Sequence, residues 1–207
     1  MQSNLLQVSA NTDMQSKMID ATIEMMEAGG GAAVRVARVA EVVGVTEPLV
    51  YHHFKNRAAL VTAAYAEWYK RCQDLEVPVD QLMMMVTNQE EYERAVKASL
   101  TWSYQAARVA ARGVRLSVIG AAQTNPELAE AVNQVNRSFL NSLAKATMQA
   151  QSKGWVRADL DPLVVSYWLH GQINGRVIAE MDEGAIDLAK WDEISFDAIF
   201  SLIRPRP

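Results

Sequence analysis

Tyr51, His52 and His53 stand in a row, with Lys55 and Arg57 just beyond them and Arg35 and Arg38 upstream. The chemistry open to this set is hydrogen bonding and charge pairing, not catalysis. Adjacent histidines on a helix point about 100° apart, so His52 and His53 make a poor metal pair; ligand pairs want i,i+4 spacing. A phenol, an imidazole and a guanidinium all suit phosphate oxygens and base edges in a DNA groove. The plain alternative is that Tyr51 caps a small core and His53 packs. DNA contact is the preferred reading for both, and His52 is left open. Thr46, Glu47, Pro48 and Leu49 begin the same segment. Glu47 either accepts from a cytosine amino group or favours the helix dipole from a solvated position; the second is slightly preferred. Lys55 and Arg57 could clamp a phosphate beside a helix N-terminus, or be ordinary solvated charges. From Arg35 to Arg57 there are four basic residues (Arg35, Arg38, Lys55, Arg57) against Glu41 and Glu47, a local balance of +2 in a chain of −4. The patch is modest, so affinity should lean on fit more than on charge.

A second set lies far downstream. His170 and Asn174 are polar groups i,i+4 in an apolar helical segment. They either line a ligand pocket or cross-bond at an interface. Trp102, Tyr104 and Gln105 are similar candidates on an earlier segment. Met84, Trp102, Gln105, Phe139, Tyr167, His170 and Asn174 form the candidate lining of a small-molecule pocket, since a few polar groups in an apolar cavity are the usual recipe for one. The common meaning of a Trp or Met on a helix is plain core.

The elements that position these residues are helical. Val36, Val39, Ala40 and Val43 have the spacing of one helix face. Gly44 follows where the chain needs positive φ. Val45 plugs the turn. Thr46 can cap a second helix, with Pro48 tolerated in its first turn. Leu49 and Val50 supply its buried side, and Phe54 returns the chain to the core. This is the layout of a helix-turn-helix, whose second helix enters the major groove. Before it, Thr12 or Asp13 can cap a helix to about Ala28, ended by Gly29-Gly30-Gly31; residues 1–12 read as a flexible tail. After it, Asn56 caps a long helix from Arg57 to about Leu75.

Residues 79–207 carry no period-2 strand pattern. Thr87-Asn88-Gln89-Glu90 is a capping box opening a helix through Trp102. Gly113 and Gly120 predict a kink in the next segment. Asn125-Pro126 and Asp161-Pro162 each pair an N-cap with a first-turn proline. They open helices to about Gly154 and Met181. A last helix runs from about Lys190 to Ile203. Val164, Trp168, Gly171, Gly175 and Ile178 repeat at 4,3,4,3, a heptad-like seam with glycines that permit close helix approach. With Trp191, Ile194, Ala198 and Leu202 it forms either a four-helix bundle across a two-fold axis or an intramolecular core.

Half of the 207 residues are hydrophobic and 21% are charged, enough to build a sizeable core without staples. The single cysteine, Cys72, excludes a disulfide framework and reads as a small core residue. Apolar runs stop well short of the roughly 20 residues a membrane span needs. No signal-peptide pattern opens the chain. No phosphate loop, metal-spaced cluster or nucleophile elbow is found, so no enzyme activity, metal or cofactor is expected.

MIDATIEMMEAGG followed by VARVAEVVGVTEPLVYHHFKNRAAL resembles the TetR family of bacterial transcriptional regulators over residues 17–65. The Pro-x-x-Tyr-x-His order and the Lys-Asn pair are especially close to that family's helix-turn-helix. GWVRADLDP before a long helix is typical of its C-terminal half. The resemblance implies an all-α homodimer. Each subunit would carry a DNA-binding domain over 13–56 and a ligand-binding and dimerisation body over 57–207. It moves the 4,3,4,3 seam to the dimer interface, and places Arg35 near a phosphate contact. Ala32-Ala33-Val34-Arg35 departs from the family, which often has Thr or Ser capping this helix; a missing cap costs on the order of 1 kcal/mol. The expected function is a cytoplasmic transcriptional regulator, a repressor acting as a homodimer on double-stranded inverted-repeat operator DNA and released by a small-molecule effector. The rival is an all-α small-molecule-binding protein or enzyme with a vestigial head.

Overall fold

The computed structural model describes residues 2–73, 78–182 and 184–206, with side chains from residue 12 onward. Among the described residues every regular element is helical: α1 (Gln2–Ala33), α2 (Val36–Val43), α3 (Glu47–His53), α4 (Arg57–Cys72), α5 (Val79–Met85), α6 (Gln89–Tyr104), α7 (Val109–Ala122), α8 (Pro126–Ser152), α9 (Pro162–Met181) and α10 (Leu188–Ile203). A single 3-10 turn, Ala106–Arg108, joins α6 to α7. No helix is long and apolar enough to cross a membrane, among the described residues.

The first four helices close on one small core. Met18, Ile23 and Met26 of α1 meet Val36 and Val39 of α2, Val50 of α3 and Leu60 of α4. Burying each such side chain is worth about 1.5–3 kcal/mol, which suffices to hold helices as short as α2 and α3 that could not stand alone. Helix α1 breaks at Gly29 and Gly30 as expected. It begins at Gln2, however, and not at a cap near residue 13. Gly44 adopts φ 75°, and its amide reaches back to the carbonyls of Ala40 and Glu41. That left-handed stop sets the angle between α2 and α3.

Two local expectations fail in the head. Thr46 occupies the N-cap position of α3, but its side chain makes no capping bond. Leu49 is exposed, so Val50 alone supplies the buried side of α3 from that pair. A seven-residue helix with a proline in its first turn has room for only one inward position there.

The body packs α4 and α7 against α8, and α9 against α8, α7 and α10. The Asn125 and Asp161 caps form as read, accepting from the amides of Leu128 and of Leu163 and Val164 respectively. Asn56 likewise accepts from the Ala59 amide at the start of α4. The capping box at α6 is shifted by one residue. Asn88 is the cap, and the Glu91 carboxylate accepts from the Thr87 amide and hydroxyl, which holds that carboxyl below its ordinary range. Glycines do not interrupt α7: Gly113 and Gly120 lie within one helix. Helix α5 has no counterpart in the sequence reading, being only two turns without a periodic pattern. Cys72 is buried.

Helix α4 is the shared beam. Its first half belongs to the head core, and Tyr69 is buried in a body cluster with Val118, Leu128 and Val132. Polar bonds lock it laterally: Thr62 to the Asn125 side chain at 3.1 Å and Tyr69 to Asn136 at 2.8 Å.

Candidate nucleic-acid interface and body cavity

The outer surface of α3 presents most of the residues expected to face a groove. Leu49, Tyr51 and His52 are exposed around the buried Val50, and His53 is half-buried. Thr46, Glu47 and Pro48 stand exposed at its N-terminal end. The rings of His52 and His53 meet edge-on with centroids 5.8 Å apart. No group of three or more His, Cys, Asp or Glu is placed to hold a metal, among the described residues.

The four basic residues divide by role. Arg57 is not a free phosphate clamp. Its guanidinium donates from Nε to the Val34 carbonyl at 2.9 Å and from Nη2 to the Gly31 carbonyl at 2.5 Å. It staples the loop between α1 and α2 onto the start of α4. Tyr65 adds to the same joint by accepting from the Gly31 amide at 3.3 Å, and a Cβ on Gly31 would lie 2.8 Å from the Tyr65 hydroxyl. Arg35 turns back on its own loop, donating to the carbonyls of Ala32 and Val34. These bonds occupy the place of the side-chain cap that α2 lacks. Arg38 pairs with Glu41 on the exposed face of α2. Lys55 is exposed and makes no ion pair among the described residues. Hence the head's +2 is largely committed to its own architecture.

In the body, α5, α6, α8 and α9 enclose a cavity of about 120 Å³. Its wall is almost wholly aliphatic and aromatic, with Leu82, Met83, Val96, Leu100, Leu143 and Leu169 prominent. Three of its four lining hydroxyls, all but that of Tyr92, are engaged by the backbone. Ser99, Ser103 and Thr147 each donate to the carbonyl four residues before them. A smaller chamber of about 10 Å³ adjoins it, sharing Ser103, Phe139, His170 and Ile173 and adding Gln73, Trp102, Arg108, Arg112 and Arg115.

Of the expected pocket residues, Phe139 and His170 line both chambers and Trp102 lines the smaller one, beneath the Arg108 guanidinium at 3.6 Å. Four do not line either chamber. Met84 and Tyr167 are exposed on outer faces, because the inward positions of α5 and α9 are taken by Met83 and by Leu169 and His170. Gln105 is exposed and engaged through its backbone, the carbonyl accepting from Arg112 and the Arg108 amide and the amide donating to the Trp102 carbonyl. Asn174 stands half-buried with a shielded Oδ1 that has no partner in the protein.

The missed residues are arginines. Arg112 and Arg176 are both buried and share the Glu180 carboxylate, while Arg176 also pairs with Asp192 at 2.7 Å. Arg112 donates to the Ser103 carbonyl as well. This network ties α7, α9 and α10 together. Arg115, one turn along α7 from Arg112, has no carboxylate among the described residues. A signal existed: from Ala95 to Pro126 the chain has Lys97, Arg108, Arg112 and Arg115 and no acidic residue.

The seam expected across a two-fold axis is mostly outward. Val164, Trp168, Gly171 and Ile178 of α9 and Ile194 and Ala198 of α10 are exposed, and Gly175 is half-buried with open space about it. Trp191 and Leu202 differ. Trp191 packs edge-on against Tyr104 with centroids 5.7 Å apart, and Leu202 packs onto the body core. Both serve the subunit's own interior at least in part.

A short helix pair with an exposed polar second helix, mounted on a beam that enters a cavity-bearing helical body, is the layout of a helix-turn-helix head on a helical body. Residues 18–64 match the family model for bacterial regulatory proteins of the tetR family. The chain is similar to the fatty acid metabolism regulator protein of Bacillus subtilis (strain 168), at 23% identity over 164 residues that cover 78% of this chain and 80% of that protein. The fatty acid degradation regulator FadR of Bacillus halodurans shares the fold, with a TM-score of 0.62 at 20% identity over 89% of this chain and 93% of that one. So does a Saccharomonospora viridis protein solved in complex with choline, with a TM-score of 0.67 at 16% identity over 94% of this chain and 100% of that one. Residues 18–64 thus match a tetR-family regulatory domain, and the chain as a whole shares the fold of solved proteins described as TetR-family regulators.

Proposed function

We propose that the protein is a repressor that binds an inverted-repeat operator as a homodimer and leaves it when a small molecule fills the body cavity. The carrying observation is the division of α3. Val50 faces inward, while Thr46, Glu47, Leu49, Tyr51 and His52 are presented to solvent on a helix whose only anchors are aliphatic. That surface suits a major groove, and its partner would sit about one helical turn of DNA away, roughly 34–36 Å.

The exposed apolar side of α9 and α10 supports pairing between two copies, since contiguous exposed apolar surface of this kind usually marks an interface. Helix α4 supports the coupling. It is bonded to the loop beneath the reading head through Arg57 and to the body through Thr62 and Tyr69. A ligand releases DNA only by favouring a body conformation that spaces the heads wrongly.

The test is a gel shift on the intergenic DNA beside the gene. Wild-type protein should bind at low salt and weaken as salt rises. Tyr51→Ala should lose roughly tenfold or more in affinity, in line with about 1–3 kcal/mol for a specific groove contact. Sedimentation should show the same oligomer for both. No shift at micromolar wild-type protein would sink the regulator mechanism. An unchanged Tyr51→Ala affinity would remove that residue from the interface.

A further inference from the structure

The junction of the two chambers concentrates polar atoms that no group among the described residues satisfies. Gln73 Oε1, Arg115 Nε and Nη1, and His170 Nδ1 and Nε2 are all shielded and without hydrogen-bond partners. Their residues are 7%, 6% and 7% exposed. Leaving one buried polar group unpaired costs about 1–3 kcal/mol, and more for a charged one. Three such groups line one small chamber, which places unmet hydrogen-bonding capacity beside the apolar cavity. Arg112 shows how this fold neutralises a buried arginine when the role is structural, because Glu180 faces it directly. Among the described residues Arg115 has no such carboxylate. The groups facing it are Tyr69, Cys72, Arg108 and Arg112, and the two arginines add to its positive field. Burial lowers the basicity of Arg115 and pushes His170 down to about 4, so the histidine stands neutral with one donor and one acceptor.

We propose that the cavity takes an aliphatic carboxylate, with its chain in the apolar chamber and its head group at Arg115, His170 and Gln73. The inference rests on the regulator reading and names the class of its effector. An acid supplies both the missing acceptors and the missing negative charge. A cation such as choline meets the uncompensated arginine and is repelled. A neutral alcohol leaves the charge unanswered. The apolar chamber offers few groups to a polar chain, since three of its four lining hydroxyls already donate to backbone carbonyls.

The site also touches the beam. Arg115 Nη2 donates to the Cys72 carbonyl at 2.7 Å, at the C-terminal end of α4. A carboxylate on Arg115 is thus one hydrogen bond from the helix that carries the head. It competes for the same guanidinium, which gives the ligand a handle on the position of α4.

The probes are dodecanoate, 1-dodecanol and dodecyltrimethylammonium, each below its micellar concentration, with octyl and hexadecyl acids to bracket chain length. Binding is read by calorimetry and by thermal shift on the full chain. Dodecanoate is expected to bind at least tenfold more tightly than dodecanol, and the ammonium most weakly. Arg115→Gln, checked for folding by circular dichroism, should erase the preference for the acid; Arg115→Lys, which keeps the charge, should retain part of it. Equal binding of acid and alcohol by the wild type overturns the proposal without any variant, as would be expected if water alone filled the chamber. So does a preference that survives in Arg115→Gln, tighter binding of the ammonium, or no binding by any acid in the series. The gel shift without added amphiphile separates the two readings. DNA binding with no acid preference overturns only the effector class. Acid preference with no DNA binding overturns the regulator mechanism.

Discussion

The head and the body bury different things. The head closes on methionines, valines, a leucine and a phenylalanine, and where a buried hydroxyl occurs it is satisfied locally, as Thr22 is by the Met18 carbonyl at 2.7 Å. Its charged groups lie at the surface or staple backbone carbonyls. The body buries Arg112, Arg115, Arg176 and His170, and satisfies only some of them. On the proposed mechanism the contrast follows from task. A reading head has to be rigid and needs nothing inside it. A sensing body has to keep polar groups in an apolar interior, and that costs stability unless a ligand or an internal partner answers them.

The comparison breaks most readily at Glu180. Glu180→Ala strands Arg112 and leaves Arg176 with Asp192 alone, and removing one partner of a buried pair costs about 3–5 kcal/mol. Urea unfolding should show that loss. A change under about 1 kcal/mol, the scale of an exposed pair, would mean the network is solvated and the body is not as dry as the head.

His170 sharpens the contrast through pH. Its folded pKa of about 4 lies below the ordinary value of 6.5. Between those values the unfolded chain binds a proton that the folded chain does not. Stability from this group is therefore full above the unfolded value and falls as pH drops from 6.5 toward 4, by up to about 3 kcal/mol. Subtracting the profile of His170→Asn from that of the wild type should isolate this slope. A flat difference would place the imidazole in contact with water.

The smallest effect is expected in the head. An N-cap threonine normally contributes about 1 kcal/mol. Thr46 makes no capping bond, so Thr46→Ala should change thermal stability by no more than a few tenths of a kcal/mol. A full unit of loss would show that the hydroxyl caps α3 in solution. Operator affinity of the same variant separately reports whether that hydroxyl touches DNA.

What could be read in the chain tracks this division. The helix pair around Gly44, the caps at Asn56, Asn125 and Asp161, and the family itself were legible because each is a local pattern over a few consecutive residues. The capping box slipped by one residue because Asn88 and Thr87 are both good caps, and only the position of Glu91 decides between them. Leu49 was misjudged because a short helix has too few residues for periodicity to assign faces. Arg57 was misassigned for a different reason. A cation near a helix start is the same in sequence whether it meets a phosphate or a carbonyl more than twenty residues away in the chain.

Sequence alone determined that the chain is all helical, where most helices start, and that its N-terminal unit is of the TetR type. Those outcomes depend on backbone propensity, capping and short-range spacing. Tertiary structure alone decided which arginines are answered and which is not. Arg112 and Arg115 are the same residue type one turn apart on α7. Among the described residues Glu180, arriving from α9 far along the chain, pairs with the first, while no carboxylate meets the second, which is buried beside a cavity.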